Sequence, residues 1–140
     1  DARQQMAQVA VLQWNVHPGH SPAEYTRQLR DQQDGINAML AIQWQQNRAQ
    51  YLTGGRSAEG ERMQRTFQRR TGNLPGTAAP HNPDQIGAGF PDPTGLPADT
   101  LVNSHIGSQW GSRVGVIDNA VNAIEPLELG VTQMNVVLRI

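Results

Sequence analysis

A mainly helical fold with a small sheet joining its two ends is what this sequence predicts. Three observations carry that expectation. An apolar stripe at helical spacing runs through residues 101–124, as Val102, Ile106, Trp110, Val114, Ile117, Val121 and Ile124. Ser21-Pro22-Ala23-Glu24 is a helix start, with a capping hydroxyl, Pro at the first helical position and Glu where a capping box needs it. Apolar, β-branched runs stand near each end, at residues 8–16 and 131–140.

The totals set limits on function. At 140 residues the chain is expected to form one compact domain over 1–140 with a modest core. It opens at Asp1 without Met, as the C-terminal piece of a longer protein would. There is no Cys, which excludes disulfides, thiolate metal sites and a Cys nucleophile. No apolar run reaches membrane-spanning length. A net charge of −1 argues against broad nonspecific binding to nucleic acid. Every basic residue is Arg, however, and Arg62, Arg65, Arg69 and Arg70 cluster. Guanidinium groups suit bidentate phosphate contacts, although such a cluster also serves as a plain solvated helix face.

In order, residues 8–16 are expected to form a strand that His17-Pro18-Gly19-His20 breaks. The helix from Ser21 should run to about Asn37, with Tyr25, Leu29, Ile36 and Met39 or Leu40 inward. A second helix over 41–53, covered by Ile42, Trp44, Ala49 and Leu52, should end at Gly54-Gly55. A third should run from Ser57 to about Arg70. Residues 72–98 are rich in Pro and Gly, and loops this long in small domains are commonly functional or disordered. One helix is expected over 101–124, capped by Asn103 or Ser104. Its Gly107, Gly111 and Gly115 suggest the close approach of another backbone. After a break at Pro126 and Gly130, the last strand should pair with residues 8–16.

The chemistry concentrates in Ala79-Pro80-His81-Asn82-Pro83-Asp84-Gln85-Ile86-Gly87-Ala88-Gly89-Phe90. Asn82 can cap a short turn with Pro83 and Asp84 next, and free N-terminal amides favour an anion. An imidazole can take a proton or bind a metal. A carboxylate can hold a hard cation or orient the imidazole. Together these are parts for metal-assisted phosphodiester hydrolysis. His17, His20 and His105 are further candidate ligands or bases, His105 foremost because Gln109 and Arg113 share its helix face.

Four stretches in order resemble one family. They are Gln33-Asp34-Gly35-Ile36-Asn37, Asn47-Arg48-Ala49-Gln50-Tyr51, His81-Asn82-Pro83-Asp84-Gln85-Ile86 and Val102-Asn103-Ser104-His105-Ile106-Gly107-Ser108-Gln109-Trp110. This pattern resembles the polymorphic toxin type 15 family, the HxxD nuclease toxins of bacterial secretion systems. The resemblance implies a Mg²⁺-dependent DNase (or one using another divalent cation) that degrades target-cell DNA. It further implies a carrier effector exported by a type VI-like apparatus into the target bacterial cytoplasm, and a cognate immunity protein. His81 and Asp84 would be the catalytic pair, one acting as base and one as metal ligand, with the division of labour open. Gln85, Arg48, Asn103, Gln109 and Arg113 are expected to contact substrate, with Gly107 and Gly111 admitting the His81 loop. A locally positive groove of Arg48, Arg62, Arg65, Arg69, Arg70 and Arg113 would offset the weak net charge. Two alternatives stand beside this reading: a metal-independent RNase toxin, and a noncatalytic interaction domain of a secreted effector.

Overall fold

The computed structural model describes residues 4–54, 77–78 and 98–140. The described elements are β1 (Gln4–Gln5), β2 (Ala10–Gln13), α1 (Pro22–Asn37), α2 (Ala41–Gly54), β3 (Thr77–Ala78) and β4 (Ala98–Asp99). They continue with α3 (Thr100–Trp110), α4 (Val114–Asn122), a 3₁₀ turn (Pro126–Glu128), β5 (Thr132–Gln133) and β6 (Val136–Arg139). The architecture is mainly helical with small strand pairs, as the periodicities predict. The helix expected from Ser57 to Arg70 lies outside the described residues.

The two ends of the chain meet as anticipated. β2 pairs with β6 in parallel, with Ala10 opposite Val136 and Gln13 opposite Arg139. β1 pairs with β5, also in parallel. The alternation of β2 places Ala10 and Leu12 inside and Val11 and Gln13 outside. Both strands are shorter than the apolar runs that announced them. Trp14 follows β2 into the core, its backbone N–H donating to the Arg139 carbonyl of β6 at 2.7 Å and its indole N–H to the Ile106 carbonyl at 3.0 Å.

The far edge of β6 is met by side chains of α1 rather than by a strand. Asn37 accepts from the Val136 N–H at 2.9 Å and donates to the Val136 carbonyl at 3.0 Å. Gln33 accepts from the Leu138 N–H at 3.0 Å. These amides copy a strand's donor and acceptor pattern, which satisfies backbone groups that burial would otherwise leave unpaired.

α1 begins as its sequence demands. Ser21 is the cap, its side chain accepts from the Glu24 N–H, and Pro22 leads the helix. Tyr25, Leu29, Ile36 and Met39 are buried. Gln32 is also buried, and accepts from the Trp110 indole N–H at 2.9 Å. Trp110 in turn meets Trp14 edge to face, with ring centroids 4.9 Å apart. All three tryptophans are essentially inaccessible to solvent, so a chain poor in aromatics places its largest residues at the centre of its core.

Four expectations need correction. Residues 101–124 are not one helix: α3 stops at Trp110 and α4 starts at Val114. The apolar stripe survives because Gly111 keeps right-handed helical dihedrals through the break, which preserves the phase of the two halves. The cap of α3 is Asp99, which accepts from the Val102 N–H, not Asn103 or Ser104. Finally, Gly111 and Gly115 are exposed, and a Cβ on either would meet nothing within 4 Å, so neither marks a close backbone approach. On α2 the inward face is Ala41, Trp44 and Arg48, while Ala49 and Leu52 face solvent.

Candidate functional site

The densest group of titratable side chains among the described residues lies where the β2–α1 turn meets α3. The turn is His17-Pro18-Gly19-His20. The His20 N–H reaches the His17 carbonyl at 3.0 Å. Gly19 has φ of +87°. Pro at the second position and a left-handed Gly at the third are the signature of a type II turn. It brings two imidazoles back to back, with ring centroids 4.6 Å apart. His105 arrives from α3, 5.6 Å from His17 and 6.1 Å from His20 by ring centroids.

Tyr25 is the hub. Its hydroxyl accepts from the His17 backbone N–H at 3.2 Å and lies 2.9 Å from His20 Nδ1 and 2.6 Å from His105 Nδ1. The surrounding bonds assign the tautomer of His17. Gln109 is clamped on the Asn15 backbone, its Oε1 accepting from the Asn15 N–H and its Nε2 donating to the Asn15 carbonyl. That amide nitrogen has its two N–H groups on the Asn15 and His105 carbonyls, at 3.0 and 3.1 Å, and also stands 3.3 Å from His105 Nδ1. With the His17 N–H on one lone pair, the Tyr25 hydroxyl can donate to one of the two rings and accept from the other. His17 Nδ1–H donates to the Pro18 carbonyl at 2.7 Å. The neutral His17 ring therefore leaves its Nε2 bare. Burial, then the neighbouring His17, His20 and Arg113, hold the His105 imidazole below its ordinary pKa.

A second polar knot ties α1 to the start of α3. The Glu24 carboxylate accepts from Arg27 at 2.7 and 2.9 Å, from Gln28 at 2.9 Å and from the Asp99 N–H at 3.2 Å. Arg27 and these other donors outweigh partial burial and hold the Glu24 carboxyl down at about 2. Asp99 belongs to β4, which pairs antiparallel with β3. The chain leaves the described residues at Ala78 and returns at Ala98, and these two residues are register partners. The segment between them holds His81, Asp84 and Gln85, which lie outside the described residues.

Of the other anticipated site residues, Arg48 is buried on α2 and makes a bidentate pair with Asp118 of α4, at 3.0 to 3.2 Å. Its guanidinium also stands 5.9 Å from the centre of the Tyr51 ring. Arg113 ends the break between α3 and α4. It donates to the Gln13 and Gln109 carbonyls and lies over the Trp14 ring. Gln109 is the clamp on Asn15 described above. Asn103 is half-buried on α3. Thus Gln109 and Arg113 stand beside the His105 cluster, while Arg48 belongs to the α2–α4 contact. The grouping of His17, His20 and Tyr25 with His105 escaped sequence reasoning. Pro-Gly between the two His residues was the available signal, since a type II turn brings its flanking residues together. Among the described residues no three His, Asp or Glu side chains converge in a way that could hold a metal ion. None of their helices is long and apolar enough to cross a membrane.

A comparison with curated proteins gives no match. The family model described as Novel toxin 15 matches residues 20–74 and 71–139. These segments take in most of the 140 residues and every described helix, so the chain belongs to the Novel toxin 15 family of toxin domains.

Proposed function

We propose that this toxin domain is a metal-dependent nuclease that hydrolyses phosphodiester bonds in the DNA of a target cell, with His81 and Asp84 at its centre. The observation that carries the reading is the family match, which continues on both sides of His81-Asn82-Pro83-Asp84. The paired strands β3 and β4 support it, because they tie the two ends of that segment to each other beside α3. Asp84 would hold a Mg²⁺-type cation, and His81 would take the proton of the attacking water or serve as a second ligand. Such a cation, when bound, supplies a Lewis acid for the scissile phosphate. Delivery on a secreted effector of a type VI-like system and neutralisation by an immunity protein belong to the same proposal.

The test is degradation of plasmid DNA and of RNA, with and without EDTA, by the wild type and by His81→Ala and Asp84→Ala. The expected outcome is DNA cleavage abolished by EDTA and reduced at least 10²-fold in either variant, the scale of losing a positioned acid–base group. RNA cleavage that persists in EDTA would move the assignment to a metal-independent ribonuclease. Folded variants as toxic as the wild type would move it to a noncatalytic interaction domain.

A further inference from the structure

We infer that Tyr25, His20 and His105 form an acid-sensitive latch tying the β2–α1 turn and α1 to α3, closed with at most one of the two rings cationic and open when both are. The limit comes from counting protons around one oxygen. Tyr25 is 0% exposed, so its hydroxyl depends on the protein for partners. Those partners are the His17 backbone N–H at 3.2 Å, His20 Nδ1 at 2.9 Å and His105 Nδ1 at 2.6 Å. A phenol has one proton to give and accepts with the lone pairs of one oxygen. The His17 N–H always donates. The phenol proton therefore needs one ring with a bare Nδ1, while the other ring donates from its own Nδ1. The ring with the bare Nδ1 is neutral, and the donating ring keeps its bond whether neutral or cationic. One added proton thus fits without disturbing a bond. A second makes both Nδ1 atoms donors. Three N–H groups then crowd one oxygen, and the buried phenol proton loses its acceptor, which a low-dielectric setting makes costly. The count holds for either assignment of the two rings.

The charges around the cluster reinforce the limit. From the turn, His17 binds the Pro18 carbonyl and stands 5.6 Å from His105 between ring centroids, so its protonation adds a cation and breaks no bond. From the break after α3 comes the Arg113 guanidinium. On α1, the Glu24 carboxylate is turned to Arg27, Gln28 and the Asp99 N–H. The Asp99 carboxylate caps α3 at the Val102 N–H. Burial, then His17, His20 and Arg113, hold His105 below its ordinary 6.5, with no carboxylate among the groups acting on it. The folded chain therefore takes up this proton less readily than the unfolded chain does. That share of stability is present above pH 6.5 and is lost as pH falls below it. Opening frees the His105 face of α3 from the turn, while Gln109 on Asn15 and Arg113 on Gln13 still hold its C-terminal end. The inference rests on described residues and does not draw on the nuclease reading.

The experiment is an NMR titration of the full chain from neutral pH into acid. It reads the charge of each histidine ring, the Tyr25 hydroxyl proton, and the His17 amide exchange rate corrected for intrinsic chemistry. The hydroxyl proton and the slow amide should survive the first proton on the His20–His105 pair. Both should be lost with the second, the amide then exchanging at least about tenfold faster. Two cationic rings with the hydroxyl proton still bonded overturn the proposal, and so does loss of that bond at the first proton. His105→Gln supplies an amide oxygen that accepts the phenol proton and does not titrate. It should move the opening to lower pH by about half a unit or more. Should that variant fail to fold, His20→Gln makes the same test from the turn. A folded variant of either kind that opens at the wild-type pH overturns the proposal. Tyr25→Phe removes the counted proton and should exchange the His17 amide fast at every pH, and a slow amide with the acid step retained there also overturns it.

Discussion

At the scale of single residues, Glu24 and Arg48 do structural work that charge counting alone would miss. Glu24 is held at about 2, chiefly by Arg27. A depressed carboxylate contributes its stability above the unfolded value of 4.5 and loses it as pH falls towards about 2. Glu24→Gln is therefore expected to lower stability by about 1–2 kcal/mol at neutral pH, the range for a charge-assisted bond network. It should also flatten the acid limb of the stability profile between pH 4.5 and 2, as followed by urea unfolding across pH. Arg48 is nearly buried against Asp118, and removing one partner of such a pair leaves the other charge uncompensated. Arg48→Leu should cost about 2 kcal/mol, less than a fully buried pair because Asp118 keeps some access to water. An Arg48 variant with unchanged unfolding but weakened DNA binding would instead assign that side chain to substrate.

At the scale of elements, the helix starts are local and the helix stops are not. Ser21-Pro22 sets α1 with chemistry contained in four residues. The interruption of residues 101–124 depends on distant partners. Arg113 crosses to the Gln13 carbonyl and covers Trp14, while its Nη1 takes up the Gln109 carbonyl that α3 leaves open at its end. The glycines beside this break look from spacing like a packing face, yet Gly115 has only open space around it. Gly115→Ala should therefore stabilise the protein by about 0.5–1 kcal/mol through helix propensity and reduced unfolded-state entropy. Thermal unfolding checks this, and a lower midpoint would reinstate the idea that another backbone packs there.

At the scale of the whole molecule, the pairing of the chain's two ends organises everything else. β6 lies between β2 and the amide side chains of α1, so the last strand, the second strand and the first helix form one unit. A chain ended at Asn135 loses Val136 and Leu138 from the core and strands the polar edges of Gln33 and Asn37. Circular dichroism during heating should show no cooperative transition for that truncation, whereas the full chain unfolds sharply.

Much of this was legible in the residues themselves. Spacing alone marks the buried faces of α1 and of the α3–α4 pair, because a helix must turn one stripe inward whatever it packs against. The capping chemistry of Ser21 and Pro22 follows from local rules as well, as does the strand character of the two apolar, β-branched end runs. The order of four short stretches, ending in the one around His105, carried the family. His81 and Asp84 lie outside the described residues, and the case for them still rests on sequence and family. What only the tertiary structure decided is where polar groups find partners. Gln33 and Asn37 complete a strand edge, and Arg48 is taken by Asp118. Above all, three histidines that are unremarkable one by one converge on the single hydroxyl of Tyr25. Periodicity is a property of neighbours along the chain. Hydrogen-bond partnership between residues eighty positions apart exists only once the core has brought them together.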